Sequence, residues 1–337
     1  MKLSDERKGV AIATIGVVCV TPDAVLMRWA TATGGKLAAV VFWKVLFMSV
    51  VVMVYAAWSG KGRAFATARR HPLTSVGLGC LQAISIITLS YSFVLTFAAN
   101  AVLCFSMHPL WSAICGLWWL EDRLPRRTVF ALVGALVALV VMFFPELQSG
   151  AFSGGRNTLG DILAITASIT MALFLTGARA VSRTIPDMSV PLCSALGLIV
   201  CAAVIGLAAP FLGTDMLPSM RPATYAAVAI GAVSVGIINI AFSIAPSYIT
   251  ASEVGIIGLI EAVFSPVWVF AIYGEVPPRF SIIGGGLLLV ILAAHALTHD
   301  NAAPQVTSKP AVLGTDEEAA SCDDDGVGKA AVSLPDV

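Results

Sequence analysis

The chain has 337 residues, of which 58% are hydrophobic and only 12% are charged. A soluble domain carries about twice that charged fraction, so the composition excludes an ordinary soluble protein and indicates a membrane protein. The 20 basic and 20 acidic residues cancel, and the net charge therefore predicts no nucleic-acid partner. The seven cysteines are scattered, with no spacing typical of a disulfide framework or a metal site. We expect no cofactor and no bound metal.

Ten apolar segments are long enough to cross a bilayer, whose hydrocarbon core requires roughly 20 residues of helix. They are about 9–31, 35–58, 73–94, 97–119, 126–144, 158–182, 189–211, 222–244, 250–272 and 279–298. Transmembrane strands would alternate polar and apolar residues, and these segments do not. The sequence therefore predicts an all-α membrane protein with ten transmembrane helices.

The weakest of these boundaries is Phe97-Ala98, because no charged residue interrupts 72–120. As one helix this stretch of about 49 residues would be roughly 73 Å long, which exceeds a single crossing. We therefore expect a turn at Phe97-Ala98. A nine-span arrangement with one long tilted helix is the alternative.

Basic residues are unevenly distributed between the predicted loops. One side carries Lys2, Arg7, Lys8, Lys61, Arg63, Arg69, Arg70, Arg123, Arg126, Arg127, Arg179 and Arg183, and the other carries Lys36, Arg156, Arg221 and Arg279. By the positive-inside rule, both termini are predicted to be cytoplasmic.

Residues 1–8 form the predicted cytoplasmic N-terminus. Residues 299–337 are rich in proline and acidic residues, and are predicted to form a disordered cytoplasmic tail.

Several features of the first half recur in the second at a nearly constant spacing. Gly9 and Arg28 recur 151 residues later as Gly160 and Arg179, and Glu121 recurs 154 residues later as Glu275. Five helices are an odd number, so the second half would be inserted upside down as an inverted repeat. We predict a first five-helix repeat at 9–144, a linker loop at 145–157 and a second five-helix repeat at 158–298.

With this organisation the chain resembles the drug/metabolite transporter superfamily, specifically its EamA-type members. The resemblance covers roughly residues 8–298. It rests on the stretch HPLWSAICGLWWLE that ends at Glu121, the stretch EAVFSPVWVFAIYGE from Glu261 to Glu275, and glycines at 134 and 284–286. Two positions depart from the family pattern, because Ala262 stands where proline is usual and Leu120 where glycine is usual.

The resemblance implies a secondary transporter that moves a small metabolite, such as an amino acid, a nucleotide sugar, a vitamin or a drug-like solute. Its partners would be that solute and the lipid bilayer, with a coupled proton or counter-solute and a homodimer left open. Two alternatives are a polytopic membrane enzyme, for which the spacing of His295 and Asp300 is the best support, and a membrane receptor or scaffold. We expect no catalytic residues.

Ionisable residues within membrane segments are functional candidates, because burying each costs about 2.5–3.5 kcal/mol on insertion scales. Asp23 and Lys44 are predicted to lie at matching depth on consecutive helices, and we expect them to form an ion pair or to share a solute cavity. A pair that only locks two helices is the alternative. Pro22 removes a backbone hydrogen bond and is expected to kink the first helix toward a cavity.

His108 and Glu261 are predicted to lie near the midplane of the fourth and ninth helices. An imidazole and a carboxylate there would suit a proton relay, and two neutral structural groups are the alternative. Further pathway candidates with uncharged polar side chains are Gln82, Tyr91, Asn100 and Asn239. Each of them could equally form only a hydrogen bond between two helices. Glu253 is expected to stabilise a helix N-terminus, and Glu121 and Glu275 to tie helix ends to loops.

Overall fold

The computed structural model describes residues 2–33, 36–59, 63–96, 98–122, 125–144, 155–185, 187–208, 221–274 and 279–300. Within these ranges the structure is helical and contains no strand. The helices are α1 (Lys2–Val20), α2 (Asp23–Ala32), α3 (Leu37–Ser59), α4 (Arg63–Arg70), α5 (Pro72–Leu95), α6 (Ala98–Phe105), α7 (His108–Trp119), α8 (Arg126–Met142), α9 (Gly155–Thr184), α10 (Val190–Ala208), α11 (Pro222–Ile244), α12 (Ala251–Gly258), α13 (Ile260–Tyr273) and α14 (Arg279–Asp300), with a 3-10 turn at Ala245–Ser247.

Seven helical stretches in the described residues are long and apolar enough to cross a membrane. They are Asp5–Ala32, Leu37–Ser59, Pro72–Ser92, Ala101–Trp119, Thr158–Thr184, Val190–Leu207 and Pro222–Ser247, and Arg279–His295 is a shorter apolar helix. The prediction of an all-helical membrane protein is confirmed. The other two predicted segments are also helical, since α8 has 17 residues and 250–272 is divided between α12 and α13.

Three predicted helices are each interrupted near their middle. The first breaks at Thr21-Pro22, the fourth between Phe105 and His108, and the ninth at Leu259. Proline explains two of the breaks, because Pro22 and Pro109 have no backbone N–H to continue the helical ladder. The kink expected at Pro22 is therefore confirmed, and the other two breaks are additional findings.

The helix is interrupted between the third and fourth predicted segments, beside the boundary predicted at Phe97-Ala98. α5 ends at Leu95, and Thr96 is extended, with φ −131° and ψ 177°. One continuous helix through 73–119 is therefore not formed. Phe97 itself, residues 145–154 of the linker, Glu275 and the tail beyond residue 300 lie outside the described residues.

Helices from the two halves of the chain are interleaved. α5 packs against α9 and α10, α3 packs against α10 and α11, α1 packs along α11, and α8 packs against α14. Large apolar side chains also cover the outside of the bundle, including Leu73, Trp118 and Phe130, which are 89%, 88% and 76% exposed. Such a surface is typical of helices solvated by lipid.

Glycines allow the closest crossing of these helices. Gly79 of α5 lies against Gly197 of α10, and a methyl group added at either residue would overlap backbone atoms of the other helix. Bilayers supply no hydrophobic force that pulls apolar helices together, so close van der Waals packing at small residues has to hold them.

We expect Gly79→Ala to destabilise the protein by about 1–3 kcal/mol, because the added methyl group has no space at the crossing. Gly77→Ala is the matched control, since a methyl group there has no atom within 4 Å. Thermal unfolding in detergent should show a lower midpoint for Gly79→Ala only. Equal midpoints for the two variants would refute the close crossing.

Candidate functional site: a buried charge cluster at two helix breaks

Asp23 and Lys44 form an ion pair inside the helical bundle. The ammonium nitrogen of Lys44 donates to a carboxylate oxygen of Asp23 at 2.6 Å, and the side chains of Lys44 and Asp23 are 9% and 16% exposed. The pair joins the first residue of α2 to the middle of α3. The predicted pairing of these two residues is thereby confirmed.

The break in the first helix determines where Asp23 lies. Pro22 precedes α2, and its carbonyl oxygen accepts hydrogen bonds from the backbone N–H groups of Val25 and Leu26 at 3.2 Å. Asp23 is therefore the first residue of a new helix, where the free backbone N–H groups favour a carboxylate. The break thus gives the carboxylate a stabilising environment that a continuous helix would lack.

Glu261 joins the same cluster from the second half of the chain. It lies in the first turn of α13, directly after the break at Leu259, and is half-buried. Its carboxyl group interacts electrostatically with both Asp23 and Lys44. The fold therefore places three predicted pathway residues, up to 238 positions apart in the sequence (261 minus 23), within electrostatic range of one another.

The cluster is not electrically balanced. Its described side chains provide two carboxyl groups and one ammonium group, so these three groups carry one net negative charge when all are ionised. An uncompensated charge in a low-dielectric interior is costly, and it is relieved by a proton on one carboxyl group or by a cationic group nearby. The three side chains are therefore suited chemically to binding and releasing a proton or a cationic group.

Two neighbouring residues border this cluster. A methyl group added at Gly231 of α11 would lie 3.0 Å from a carboxylate oxygen of Asp23, so the absent side chain leaves space for that carboxylate. The indole nitrogen of Trp268 donates to the hydroxyl oxygen of Thr21 at 2.9 Å, across the break between α1 and α2. Trp268 thereby ties α13 to the break in the first helix.

His108 lies in a separate environment at the start of α7 and is buried. Its Nδ1 lies 3.0 Å from the carbonyl oxygen of Phe105, and the imidazole also interacts with the backbone of Gly255. The imidazole lies beside Gly258, at the end of α12. It is thus packed against the helix that precedes Glu261, and no direct contact joins His108 to Glu261 among the described interactions.

Gln82 and Asn239 belong to an interhelical polar network. The hydroxyl of Ser194 donates to Gln82 and lies 3.1 Å from the hydroxyl of Ser243, which donates to the Asn239 carbonyl oxygen. The Asn239 amide donates to the sulfur of Met48 at 3.4 Å. These contacts join α5, α10, α11 and α3 within the bundle.

The remaining predicted residues have simpler surroundings. Tyr91 is partly buried against apolar residues of the neighbouring helices. The side chains of Asn100 and Arg28 lie outside the described residues. Glu253 forms a capping box with Thr250, in which each side chain binds the backbone N–H of the other residue. Its predicted role at a helix N-terminus is confirmed.

Asp122 is a residue that the sequence interpretation missed. It follows α7 and pairs with Arg179 at 2.8 Å and with Arg183 at 2.7 Å, both on α9. Glu121, which was expected to tie this helix end to a loop, is exposed, and the ion pairs in this part of the structure belong to its neighbour. The spacing of Arg179 and Arg183, one helical turn apart, was the available signal.

Residues 158–295 match the EamA-like transporter family. No curated protein sequence matches the chain. A solved structure described only as "Crystal structure of protein" is 15% identical, with a TM-score of 0.67 over 86% of this chain and 99% of that one. At this level of identity the likeness concerns the fold alone.

The family match spans α9 to α14 and includes Glu261. Together with the apolar helices, it identifies an integral, multi-pass membrane protein whose setting is lipid and whose partner is a small-molecule solute. Residues 158–295 are thus an EamA-like transporter domain, which is consistent with a membrane transporter of the drug/metabolite type.

Proposed function

We propose that the protein is a secondary transporter that moves a small metabolite by alternating access, with the solute path passing the cluster of Asp23, Lys44 and Glu261. The single observation that carries this proposal is the short ion pair of Asp23 and Lys44 inside an apolar bundle, with Glu261 in electrostatic range and two helix breaks beside it. Groups that are so costly to bury are retained in membrane proteins for ion and substrate pathways.

The proposal includes ten spans in two inverted five-helix repeats, with both termini cytoplasmic. The helix contacts support this symmetry. In the predicted repeats α1 corresponds to α9, α3 to α10, α5 to α11 and α8 to α14. Exchanging counterparts turns the packing of α5 on α9 into that of α11 on α1, and the packing of α5 on α10 into that of α11 on α3. The packing of α8 on α14 is unchanged by the exchange, because these two helices are counterparts of each other. All of these contacts are present, as a twofold relation requires.

Glycine contacts support the same relation at the level of residues. Gly134 of α8 lies against Ile291 of α14, and Gly284 of α14 lies against Met142 of α8. The two glycines are 150 positions apart (284 minus 134), close to the repeat spacing. Reciprocal contacts of this kind are expected when two copies of one packing motif face each other.

The cluster lies where rocking of the two halves would act on it. Asp23 and Lys44 belong to the first half and Glu261 to the second, so a relative movement changes the distance between the ion pair and the unbalanced carboxyl group. Coupling to a proton or a counter-solute would follow from that change, because the cost of the extra negative charge depends on the distance to Lys44.

A charge swap separates a transport role from a merely structural one. The double variant Asp23→Lys/Lys44→Asp keeps an ion pair between α2 and α3 but reverses which charge faces Glu261 and Gly231. We expect the protein to remain folded while uptake of pooled metabolites into proteoliposomes falls by about tenfold, the effect of roughly 1.4 kcal/mol. Restored transport in the swapped protein would instead assign the pair a structural role.

Glu261→Gln tests the unbalanced carboxyl group. The amide cannot bind or release a proton, so uptake should fall and its dependence on pH should flatten. Glu253→Gln is the matched control, because that carboxylate caps α12 and its loss should lower thermal stability while leaving the pH dependence intact. Unchanged rate and pH dependence in Glu261→Gln would rule out the coupling role.

A further inference from the structure

A second ionic network lies just after the C-terminal end of α7. One guanidinium nitrogen of Arg179 donates to Asp122 at 2.8 Å, and Arg183 donates to the other oxygen of the same carboxylate at 2.7 Å. Arg179 also donates to the carbonyl oxygens of Pro246, at 3.0 Å, and Ile249. One arginine thus joins the end of α7 to α9 and to the segment between α11 and α12.

This network crosses between the two halves of the chain. Asp122 follows the fourth predicted helix of the first half, whereas both arginines and both carbonyl groups belong to the second half. The side chains of Asp122 and Arg179 are 12% and 13% exposed. A largely buried carboxylate that accepts a charge-assisted hydrogen bond from each of two arginines holds its partners more strongly than an exposed ion pair does. Any movement that separates the halves at this end has to break it.

A narrow pocket lies directly behind the network, between α7, α9 and α12. Its lining includes Ser112, Thr176 and Ser252, together with Asp122 and Arg179. The hydroxyl groups of Ser112 and Thr176 are fully buried and have no hydrogen-bond partner among the described residues. Buried hydroxyl groups that lack a protein partner are normally satisfied by water or by a ligand.

The polar lining continues toward the middle of the bundle. His108 precedes Ser112 by four positions on α7, so the two side chains share one face of that helix. The imidazole of His108 is also buried, 3% exposed. Its neighbour Gly258 ends α12, and Glu261 lies in the next turn, beyond the break at Leu259. Polar groups therefore extend from the ionic network toward the charge cluster.

We infer that Asp122, Arg179 and Arg183 form the cytoplasmic gate of the solute path, and that the pocket lined by Ser112 and Thr176 is its water-accessible vestibule. This inference rests on the proposed transport function. The structure corresponds to the state in which the gate is closed. When the halves separate at this end, both arginines leave Asp122, and water and the polar groups of the solute reach the hydroxyl groups behind it.

Accessibility of a cysteine in the vestibule tests the gate without any transported solute. Thr176→Cys is introduced after replacement of the seven native cysteines by alanine, and inside-out vesicles are treated with a charged, membrane-impermeant methanethiosulfonate reagent. We expect slow modification with the gate intact. Adding Asp122→Asn should raise the rate by about tenfold or more, because two charge-assisted hydrogen bonds to a carboxylate are lost.

Asp187→Asn is the matched control, because Asp187 is an exposed acidic residue just after α9 and outside the network. Its modification rate should equal that of the intact gate. If Asp122→Asn fails to elute as a single folded species in detergent, Arg183→Gln replaces it, since that side chain is 46% exposed and makes one of the ion pairs. A smaller rise is then expected.

Two results would overturn the gate. One is rapid modification of Thr176→Cys with the network intact, and the other is no rise in folded Asp122→Asn or Arg183→Gln. These results are distinguishable from failure of the proposed function. A protein that transports no solute in liposomes can still show gated reactivity, and a protein without gated reactivity can still transport.

Discussion

Hydrocarbon offers no hydrogen-bond partner to a peptide group, and this constraint determines most of the structure. Every backbone N–H and C=O in the bilayer has to be satisfied within a helix or inside the protein. Uninterrupted helices therefore face lipid, and an interruption is tolerated only where the bundle surrounds it. The three breaks, at Pro22, at Met107 and at Leu259, are accordingly the positions at which the fold departs from its simplest form.

These breaks and the ionisable residues are found together for a physical reason. A helix that begins inside the bundle exposes backbone N–H groups, which stabilise a carboxylate in its first turn. Asp23 begins α2 and Glu261 lies in the first turn of α13, which are positions where that effect favours a carboxylate. Lys44, from an unbroken helix, then compensates only one of the two carboxyl groups. Among the described side chains, both carboxyl groups of the proposed path therefore lie at helix starts.

The two ionic clusters differ in how they relate to the halves of the chain. In the central cluster the short ion pair lies within the first half, and the second half contributes the extra carboxyl group. In the network of Asp122 and Arg179 the short contacts cross from one half to the other. A rocking movement would therefore leave the central pair intact while breaking the second network. This difference is what a binding site and a gate would require.

From the amino-acid sequence alone, four properties were predicted: a lipid environment, an all-helical fold, the family resemblance and the ionisable residues that are costly to bury. Each of these depends on local composition, because a long apolar run favours lipid, and a charge within it is costly to bury, before any tertiary contact is known. The sequence also predicted the pairing of Asp23 with Lys44, since consecutive helices at equal depth are neighbours. Tertiary structure alone decided that Glu261 joins that pair and that His108 lies elsewhere. It also decided that Asp122, rather than Glu121, holds the two arginines, because contacts between distant helices depend on packing angles and helix breaks that no local pattern records.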